Sequence, residues 1–157
     1  MRRWTLSKKD AKALLSKIKQ TFPHYRPDAD RIEVVVEENI KLYLFEGKPT
    51  FVEAEGRLFP HLKALIPDLY RGWLPYIIVD KGAVAPLSRG ADLMRPGIVG
   101  IEGGFEKGDV VVIVEPTRLL PIAVHEALFS RNELEAMERG RVTKRLHHVG
   151  DRYWRMA

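Results

Sequence analysis

The spacing of apolar residues in the first half of the chain predicts one helix followed by a meander of strands. From Ala11 to Phe22 apolar residues recur at helical spacing, and Ser7 precedes them as a capping residue, so an amphipathic helix is expected to end before Pro23. Runs rich in β-branched or alternating apolar residues then predict three strands, at 31–36, 40–45 and 50–52. A short helix that begins with proline is expected at 60–66. This half therefore indicates a small α+β unit.

The second half carries many short strand patterns separated by turn signals. Strands are predicted at 77–79, 98–102, 110–114, 122–129, 142–149 and 152–155. A short helix can form from Ala83 to Ser88, and a second is expected to begin after the capping residue Ser130 and to end at Gly140. Many short strands of this kind are typical of a small barrel or sandwich. The chain shows no internal repeat and no clear linker, so the two halves are expected to pack together.

Composition restricts the classes of protein that fit. The chain has 157 residues, no cysteine and no apolar run near the ~18 residues of a membrane span, which indicates a cytoplasmic protein without disulfides or a thiolate metal site. The basic N-terminus has no apolar segment behind it, so it is not expected to be a secretory signal. Charged residues make up 30% of the chain whereas side-chain amides number only three, a balance typical of thermophiles.

Positive charge is concentrated towards the two ends of the chain. Residues 2–19 contain seven Lys or Arg and one Asp, and residues 139–155 contain six Lys or Arg and one Asp, within a net charge of +5. Either cluster alone is most simply a solvated surface. Together, with Tyr153 and Trp154 inside the second cluster, they favour an anionic partner, and RNA in particular.

Glycines and turns in the second half carry a family pattern. Six separated elements occur in order: Lys81-Gly82-Ala83, Gly90-Ala91, Pro96-Gly97-Ile98-Val99, Phe105 with Gly108-Asp109-Val110, Gly140, and Gly150-Asp151 with Trp154. The region 75–157 thus resembles a PUA domain. The resemblance implies a small pseudo-β-barrel that binds structured RNA, usually as the C-terminal module of an RNA-modifying or ribosome-associated protein.

The first half extends the resemblance. The segment 20–23, the meander 38–44, and the segment 57–62 with Leu74-Pro75 are similar to the N-terminal domain of the malignant-T-cell-amplified-sequence family and its archaeal relatives. The expected fold class is α+β, with an N-terminal α+β (pre-PUA) domain at 1–74 followed by a PUA domain at 75–157. In eukaryotes the family implies translation re-initiation and ribosome recycling, at the small subunit and on the acceptor end of tRNA, often with a partner protein. An archaeal relative need not keep that role.

One position departs from the family pattern. The strand before the last helix usually has a small residue where this chain has His125. A bulky imidazole there is expected to change how that strand approaches its neighbour. The departure affects any RNA contact carried over from that strand, but not the fold.

The resemblance and the basic charge together point to an RNA site around the short helix that follows the first strand of the second half. Gly82 lets a sugar-phosphate backbone approach closely, and the amides at the helix start favour an anion. The resemblance implies that the last strands lie beside this helix. The predicted RNA-binding residues are Lys81, Gly82, Ala83, Arg89, Arg95, Arg145, His147 and Arg152. Without the resemblance, ordinary turn chemistry is the preferred explanation of Gly82, Gly90 and Pro96-Gly97.

No catalytic set assembles from the sequence, so a protein without enzymatic activity is expected. His147 and His148 are adjacent on a predicted strand and point to opposite faces, which disfavours a shared metal ion, whereas the outward one could stack on a base. The glycine-rich loop 103–108 lacks the Gly-Lys-Ser/Thr ending of a phosphate loop. No cofactor, metal, membrane or DNA is expected. The expected partners are structured RNA, as a tRNA acceptor end or rRNA, and a translation-factor protein bound through the N-terminal domain.

Three functions fit these patterns. The favoured one is RNA binding within the translation apparatus, to tRNA or small-subunit rRNA, through the PUA domain. The second is a protein-interaction adaptor whose N-terminal domain tethers a translation factor. The third is an accessory subunit of an RNA-modifying enzyme.

Overall fold

The N-terminal half forms a five-stranded antiparallel sheet with one long helix. The computed structural model describes residues 1–156. The elements in chain order are β1 (Arg2–Thr5), α1 (Lys8–Thr21), β2 (Ile32–Glu37), β3 (Ile40–Phe45), β4 (Lys48–Ala54), β5 (Arg57–Pro60) and the short helix α2 (Leu62–Leu65). The strands are hydrogen-bonded in the order β1-β2-β3-β4-β5, so each strand pairs with the next one along the chain.

Helix α1 packs on this sheet through the apolar stripe that its sequence predicts. Ser7 caps the helix, and its hydroxyl oxygen accepts a hydrogen bond of 3.1 Å from the backbone N–H of Asp10. Ile18 and Phe22 are buried, and the Phe22 ring lies 5.9 Å from the ring of Phe51 in β4. Aromatic packing therefore fixes the C-terminal end of the helix against β4.

The C-terminal half forms a six-stranded sheet that curls into a half-barrel. Its elements are β6 (Tyr76–Val79), α3 (Lys81–Ser88), β7 (Leu93–Met94), a 3₁₀ turn (Arg95–Gly97), β8 (Ile98–Glu102), β9 (Val110–Val114), β10 (Pro121–Ala127), α4 (Arg131–Glu135), β11 (Arg141–His148) and α5 (Arg152–Arg155). The strand order is β7-β11-β10-β9-β6-β8, with β6 and β9 parallel. The mixed α+β class predicted from the sequence is confirmed.

Strand β9 separates the two hydrophobic cores of the molecule. Val110, Val112 and Val114 belong to the core shared with the N-terminal sheet, whereas Val111 and Ile113 belong to the core inside the half-barrel. All five residues of the strand are buried. A strand covered on both faces requires an unbroken apolar run rather than an alternating one, and this explains the sequence Val-Val-Val-Ile-Val. Because one face of β9 packs on the N-terminal sheet, the two halves of the chain share the first of these cores.

Three predicted elements differ from the structure, two of them because a polar residue caps a helix. Residues 152–155 form helix α5 instead of a strand, because the Asp151 carboxylate accepts a hydrogen bond of 2.9 Å from the backbone N–H of Trp154 and begins a helix. Helix α2 begins after His61 and not at Pro60, which pairs with Phe51 as the last residue of β5. Helix α4 ends at Glu135, before the expected terminus at Gly140.

Three short strands were not predicted from the sequence, and helix α3 begins earlier than expected. Strand β1 pairs along the edge of the first sheet although all four of its residues are exposed, so it carries no apolar alternation that would predict a strand. Strands β5 and β7 are short, with four and two residues. Helix α3 begins at Lys81, two residues before the predicted start, because Asp80 caps it.

His125 lies inside the half-barrel at an irregularity in the strand pairing. Its side chain is fully buried, and its Nδ1 lies 2.7 Å from the hydroxyl oxygen of Thr143 in the neighbouring strand. The pairing of β10 with β11 shifts register between Val124 and His125. Burial lowers the pKa of His125 to about 3, so the ring is neutral. His125, the residue that departs from the family pattern, thus lies at a β-bulge.

Candidate nucleic-acid interface

The start of helix α3 is held by an aspartate. Asp80 accepts a hydrogen bond of 2.9 Å from the backbone N–H of Ala83, and its own N–H donates to the carbonyl oxygen of Gly97. Lys81 and Gly82 are exposed in the first helical turn. Gly82 has no left-handed φ, and a side chain there would meet only the Asp80 carboxylate, at 3.5 Å. Gly82 is therefore an ordinary helical residue and not a cap.

The Asp80 carboxylate changes the electrostatics of this helix start. The positive end of the helix dipole attracts anions, but the capping carboxylate already supplies a negative charge at that place. The helix start is consequently a weaker phosphate site than the sequence pattern alone predicts. Lys81 remains the group that can offer a full positive charge here, since its side chain reaches solvent.

The other end of α3 meets strand β11. Nδ1 of His148 lies 3.0 Å from the carbonyl oxygen of Ser88, the last helical residue. Gly90 follows with a φ of +102°, a conformation that favours glycine. A Cβ atom on Gly90 would lie 2.6 Å from a terminal guanidinium nitrogen of Arg145 and 3.0 Å from Nε2 of His148. The missing side chain therefore leaves the space in which both groups sit.

Strand β11 carries two adjacent exposed basic residues just before a bulge. Val124 pairs with His147 and His125 with Arg145, so Leu146 is the extra residue in β11. Lys144 and Arg145 are both exposed, although neighbours on a regular strand point to opposite faces. Two adjacent positions of β11 therefore each carry an exposed positive charge.

Asp92 organises the neighbouring charges. One of its carboxylate oxygens accepts a hydrogen bond of 2.7 Å from the backbone N–H of Arg145, and the other lies 3.2 Å from the guanidinium of Arg141. These residues lie at the junction of α3, β7 and β11. We use the name basic edge for the five exposed cations of this region: Arg89, Arg141, Lys144, Arg145 and Arg152.

A groove of about 430 Å³ runs from the basic edge to the N-terminal sheet. Arg145, His148 and Arg152 line it on one side, and the hairpin turns of the N-terminal sheet line it on the other. Glu38 in one of these turns lies 3.1 Å from the guanidinium of Arg152, an exposed ion pair between the two halves. Both halves therefore contribute to the walls of this groove.

Arg95 lies away from the groove. Its Nε donates a hydrogen bond of 2.9 Å to the carbonyl oxygen of Leu134, and its backbone N–H donates to Gly140. The turn that contains Arg95 adjoins the start of α3 through the contact of Gly97 with Asp80. The predicted residues thus form two groups: Lys81, Gly82, Ala83 and Arg95 at the helix start, and Arg89, Arg145 and Arg152 at the basic edge.

His147 is the inward member of the histidine pair, so the prediction that it contacts RNA is corrected. Its side chain has no exposed surface. Nε2 accepts a hydrogen bond of 3.1 Å from the backbone N–H of Leu62, and Nδ1 lies 2.8 Å from a carboxylate oxygen of Asp151. Burial lowers the pKa of His147 despite this carboxylate. The partly exposed member is His148, which strand alternation alone could not select.

Four residues of this region were absent from the predicted site. Gly90 was noted in the sequence without a role in binding, His148 was considered only as the alternative outward member of the histidine pair, and Asp92 and Arg141 carried no motif. Their positions depend on the bulge at Leu146 and on the return of the chain from α3 to β7, which sequence spacing does not show. No group of three or more potential metal-ligating side chains is assembled within residues 1–156. In the same part of the chain, no helix is long and apolar enough to span a membrane.

Comparison with known proteins places this fold in a class. Residues 75–149 match the family model of the PUA domain, and residues 2–67 match that of a domain of unknown function (DUF1947). The crystal structure of a PUA domain from Aeropyrum pernix superposes with a TM-score of 0.86 at 31% identity, covering 99% of this chain and 91% of that one. The molecule is a PUA-domain protein with an additional N-terminal domain.

Two curated relatives extend over both halves. An uncharacterized protein of Methanocaldococcus jannaschii is 31% identical over 156 residues, which are 98% of this chain and 95% of that protein. Translation machinery-associated protein 20 of Saccharomyces cerevisiae is 29% identical over 150 residues, covering 90% of this chain and 81% of the yeast protein. The chain belongs to the family that includes these proteins and malignant T-cell-amplified sequence 1. Membership of this family supports an RNA-binding role related to translation.

Proposed function

We propose that this protein binds an RNA of the translation apparatus, tRNA or small-subunit rRNA, through its PUA domain. The family supports the class of ligand, since relatives are named for their association with the translation machinery. The exposed cations of the basic edge support the location of the RNA site in the PUA domain. Lys81 and the other residues predicted at the start of α3 form the periphery of the proposed interface.

The observation that carries this proposal is the clustering of cations at the basic edge. Five exposed Lys or Arg side chains lie on α5, on β11 and immediately after α3, and Asp92 is the acid that contacts two of these residues. Phosphate groups along an RNA backbone can pair with positive groups of this kind. Recognition by charge and backbone shape needs no cofactor.

Crosslinking in a lysate of the source organism tests the proposal. The tagged protein is irradiated, purified under denaturing conditions, and the attached RNA is sequenced. We expect enrichment of tRNA or small-subunit rRNA over total RNA. A variant with Arg89→Ala and Arg145→Ala serves as the matched sample, and we expect it to recover less of the same RNA. Recovery of no RNA above an untagged control contradicts the proposal.

We also propose that residues 1–74 and 75–157 are the two domains, and that they unfold together. The buried valines of β9 contact the N-terminal sheet, and Arg57 of β5 forms an ion pair of 2.6 Å with Glu126 of β10. Separating the halves would expose this apolar surface to water. Calorimetry is expected to show one unfolding transition, and two resolved transitions would contradict the shared core.

One observation favours a second function, that of an adaptor. Trp4 on the edge strand β1 is 43% exposed and lies beside a groove of about 430 Å³ between α1 and the sheet. An open strand edge next to an exposed aromatic ring is a surface that an extended protein segment can bind. Under this proposal the N-terminal domain holds a translation-factor protein. Affinity capture with wild type and a Trp4→Ala variant tests it, because a true partner is lost only from the variant.

A further inference from the structure

His148 lines the groove and is held in one orientation. Its backbone N–H donates a hydrogen bond of 2.9 Å to Asp151, and Nδ1 lies within 3.0 Å of two backbone carbonyl oxygens, those of Ser88 and Val149. A carbonyl oxygen only accepts hydrogen bonds, so Nδ1 must carry the proton and donate. In the neutral ring Nε2 is then an acceptor.

The free nitrogen of His148 and the guanidinium of Arg145 face the same place. Nε2 of His148 lies 3.0 Å, and a terminal nitrogen of Arg145 lies 2.6 Å, from the point where a Cβ of Gly90 would be. Both residues also line the groove. Within residues 1–156 no hydrogen bond involves that Nε2. An acceptor and a cationic donor are thus presented together, a few ångströms apart.

We propose that Gly90, Arg145 and His148 form a ribose-phosphate subsite that distinguishes RNA from DNA. Arg145 donates to a backbone phosphate, and Nε2 of His148 accepts a hydrogen bond from the ribose 2′-hydroxyl. This inference rests on the proposed function and deepens it, because it names the group that the site recognises.

The chemistry of RNA fits this pair of side chains. The 2′-hydroxyl and the 3′-phosphate are attached to adjacent carbons of one ribose, so a single nucleotide can reach both groups. The 2′-hydroxyl is the donor that DNA lacks, whereas the phosphate is common to both nucleic acids. Arg145 therefore contributes affinity for both RNA and DNA, and His148 contributes the preference for RNA.

Gly90 has a positioning role in this subsite. Any side chain at this position would lie closer to the Arg145 guanidinium than a real Cβ contact allows, so the guanidinium or the backbone would have to move. The fixed ring of His148 flanks the same space at 3.0 Å. The absence of a side chain at Gly90 thus lets the two recognition groups approach each other.

Two substitutions of His148 separate the roles of its nitrogens. The amide of asparagine reaches the position of Nδ1, so His148→Asn can keep the contact with Ser88 but loses the group at Nε2. The amide of glutamine reaches the position of Nε2, so His148→Gln can restore a polar group there. Affinities are measured for a single-stranded RNA and for a DNA of the same sequence with deoxyuridine in place of uridine.

Wild type is expected to prefer the RNA, and His148→Asn is expected to reduce this preference about threefold to tenfold, the value of one hydrogen bond. His148→Gln is expected to recover part of it. Arg145→Ala should weaken RNA and DNA alike. An unchanged RNA-to-DNA ratio in His148→Asn overturns the subsite while leaving the proposed function intact. Failure of wild type to bind any RNA overturns both.

The positioning role of Gly90 is tested by introducing Gly90→Ala into wild type and into the Arg145→Ala variant. Gly90→Ala is expected to weaken RNA binding in wild type and to cause a smaller further loss when Arg145 is already alanine, because only the crowding of His148 then remains. Gly108→Ala is the control, because Gly108 has a φ of +93° and open space around it, so it introduces similar backbone strain without displacing a side chain. Equal losses of affinity from Gly90→Ala in both backgrounds, or equal losses from the two glycine variants, overturn the positioning role.

Discussion

Nε2 of His147 accepts a hydrogen bond of 3.1 Å from the backbone N–H of Leu62, which lies 85 positions earlier in the other domain. A backbone N–H only donates, so Nε2 must be the unprotonated nitrogen and Nδ1 donates to Asp151. The same Asp151 caps helix α5. One buried neutral imidazole therefore joins the first turn of α2 to the C-terminal helix.

His61 makes the reciprocal connection. Its Nδ1 accepts a hydrogen bond of 3.0 Å from the backbone N–H of Lys63, so Nε2 carries the proton and donates to the carbonyl oxygen of Tyr153. The rings of His61 and His147 lie 4.8 Å apart. Two neutral histidines of opposite tautomer thus fix the domain arrangement that forms the groove.

We expect His147→Phe to destabilise the protein by about 1–3 kcal/mol, because the ring volume remains while the N–H of Leu62 and the carboxylate of Asp151 lose their partner. The free energy of unfolding is measured by urea denaturation. His24→Phe is the control, since His24 is exposed and its replacement should change stability by less than ~0.5 kcal/mol. Equal stability of the two variants would show that the interdomain hydrogen bonds contribute nothing.

Acid is expected to destabilise the protein through these histidines. Burial, with the neighbouring His147, lowers the pKa of His61 to about 4. Between that value and the ordinary pKa of about 6.5 the unfolded chain binds more protons than the folded one, so stability rises with pH. The contribution of His61 is fully present above about pH 6.5. It amounts to roughly 3 kcal/mol and is lost as the pH falls towards 4.

The variant His61→Asn isolates this effect. Asparagine keeps a side-chain acceptor for the helix cap of α2 but does not titrate. We expect the unfolding free energy of this variant to fall less between about pH 6.5 and pH 4.5 than that of wild type. Parallel pH profiles for the two proteins would assign the acid sensitivity to other groups.

Gly82→Ala tests the predicted contact at the start of α3. Gly82 is helical and has room for a methyl group, so alanine should raise the free energy of unfolding by up to about 1 kcal/mol. If an RNA backbone passes over this residue, RNA affinity should fall at the same time, though by less than in Arg145→Ala. A variant that gains stability and keeps full RNA affinity would remove the helix start from the interface.

The regular elements and the family could be predicted from the sequence because they depend on local patterns. The spacing from Ala11 to Phe22 gives α1, and the unbroken run at β9 gives a strand buried on both faces. The candidate site was harder to predict. The bulge at Leu146 decides which histidine faces inward, and a bulge depends on two strands rather than on one.

The helix starts show a similar limit. The side chains of Asp80, His61 and Asp151 each cap a short helix. The first two helices consequently begin at other residues than predicted, and the third replaces a predicted strand. The carboxylate of Asp80 also reduces the attraction of α3 for an anion. Asp80 thus determines both where α3 begins and how strongly the start of this helix attracts a phosphate.

The salt dependence of RNA affinity tests the proposed interface most directly. Binding of a tRNA with an intact acceptor end is measured by fluorescence anisotropy at several ionic strengths. With about 3–5 phosphates neutralised, the slope of log K against log salt should be roughly −2 to −4 for wild type. In Arg89→Ala/Arg145→Ala it should be flatter by about 1–2. The control Arg26→Ala/Arg118→Ala removes the same charge from exposed positions outside the basic edge and should keep the wild-type slope. A slope near zero for wild type, or equal slopes for the two double variants, would contradict RNA binding at the basic edge.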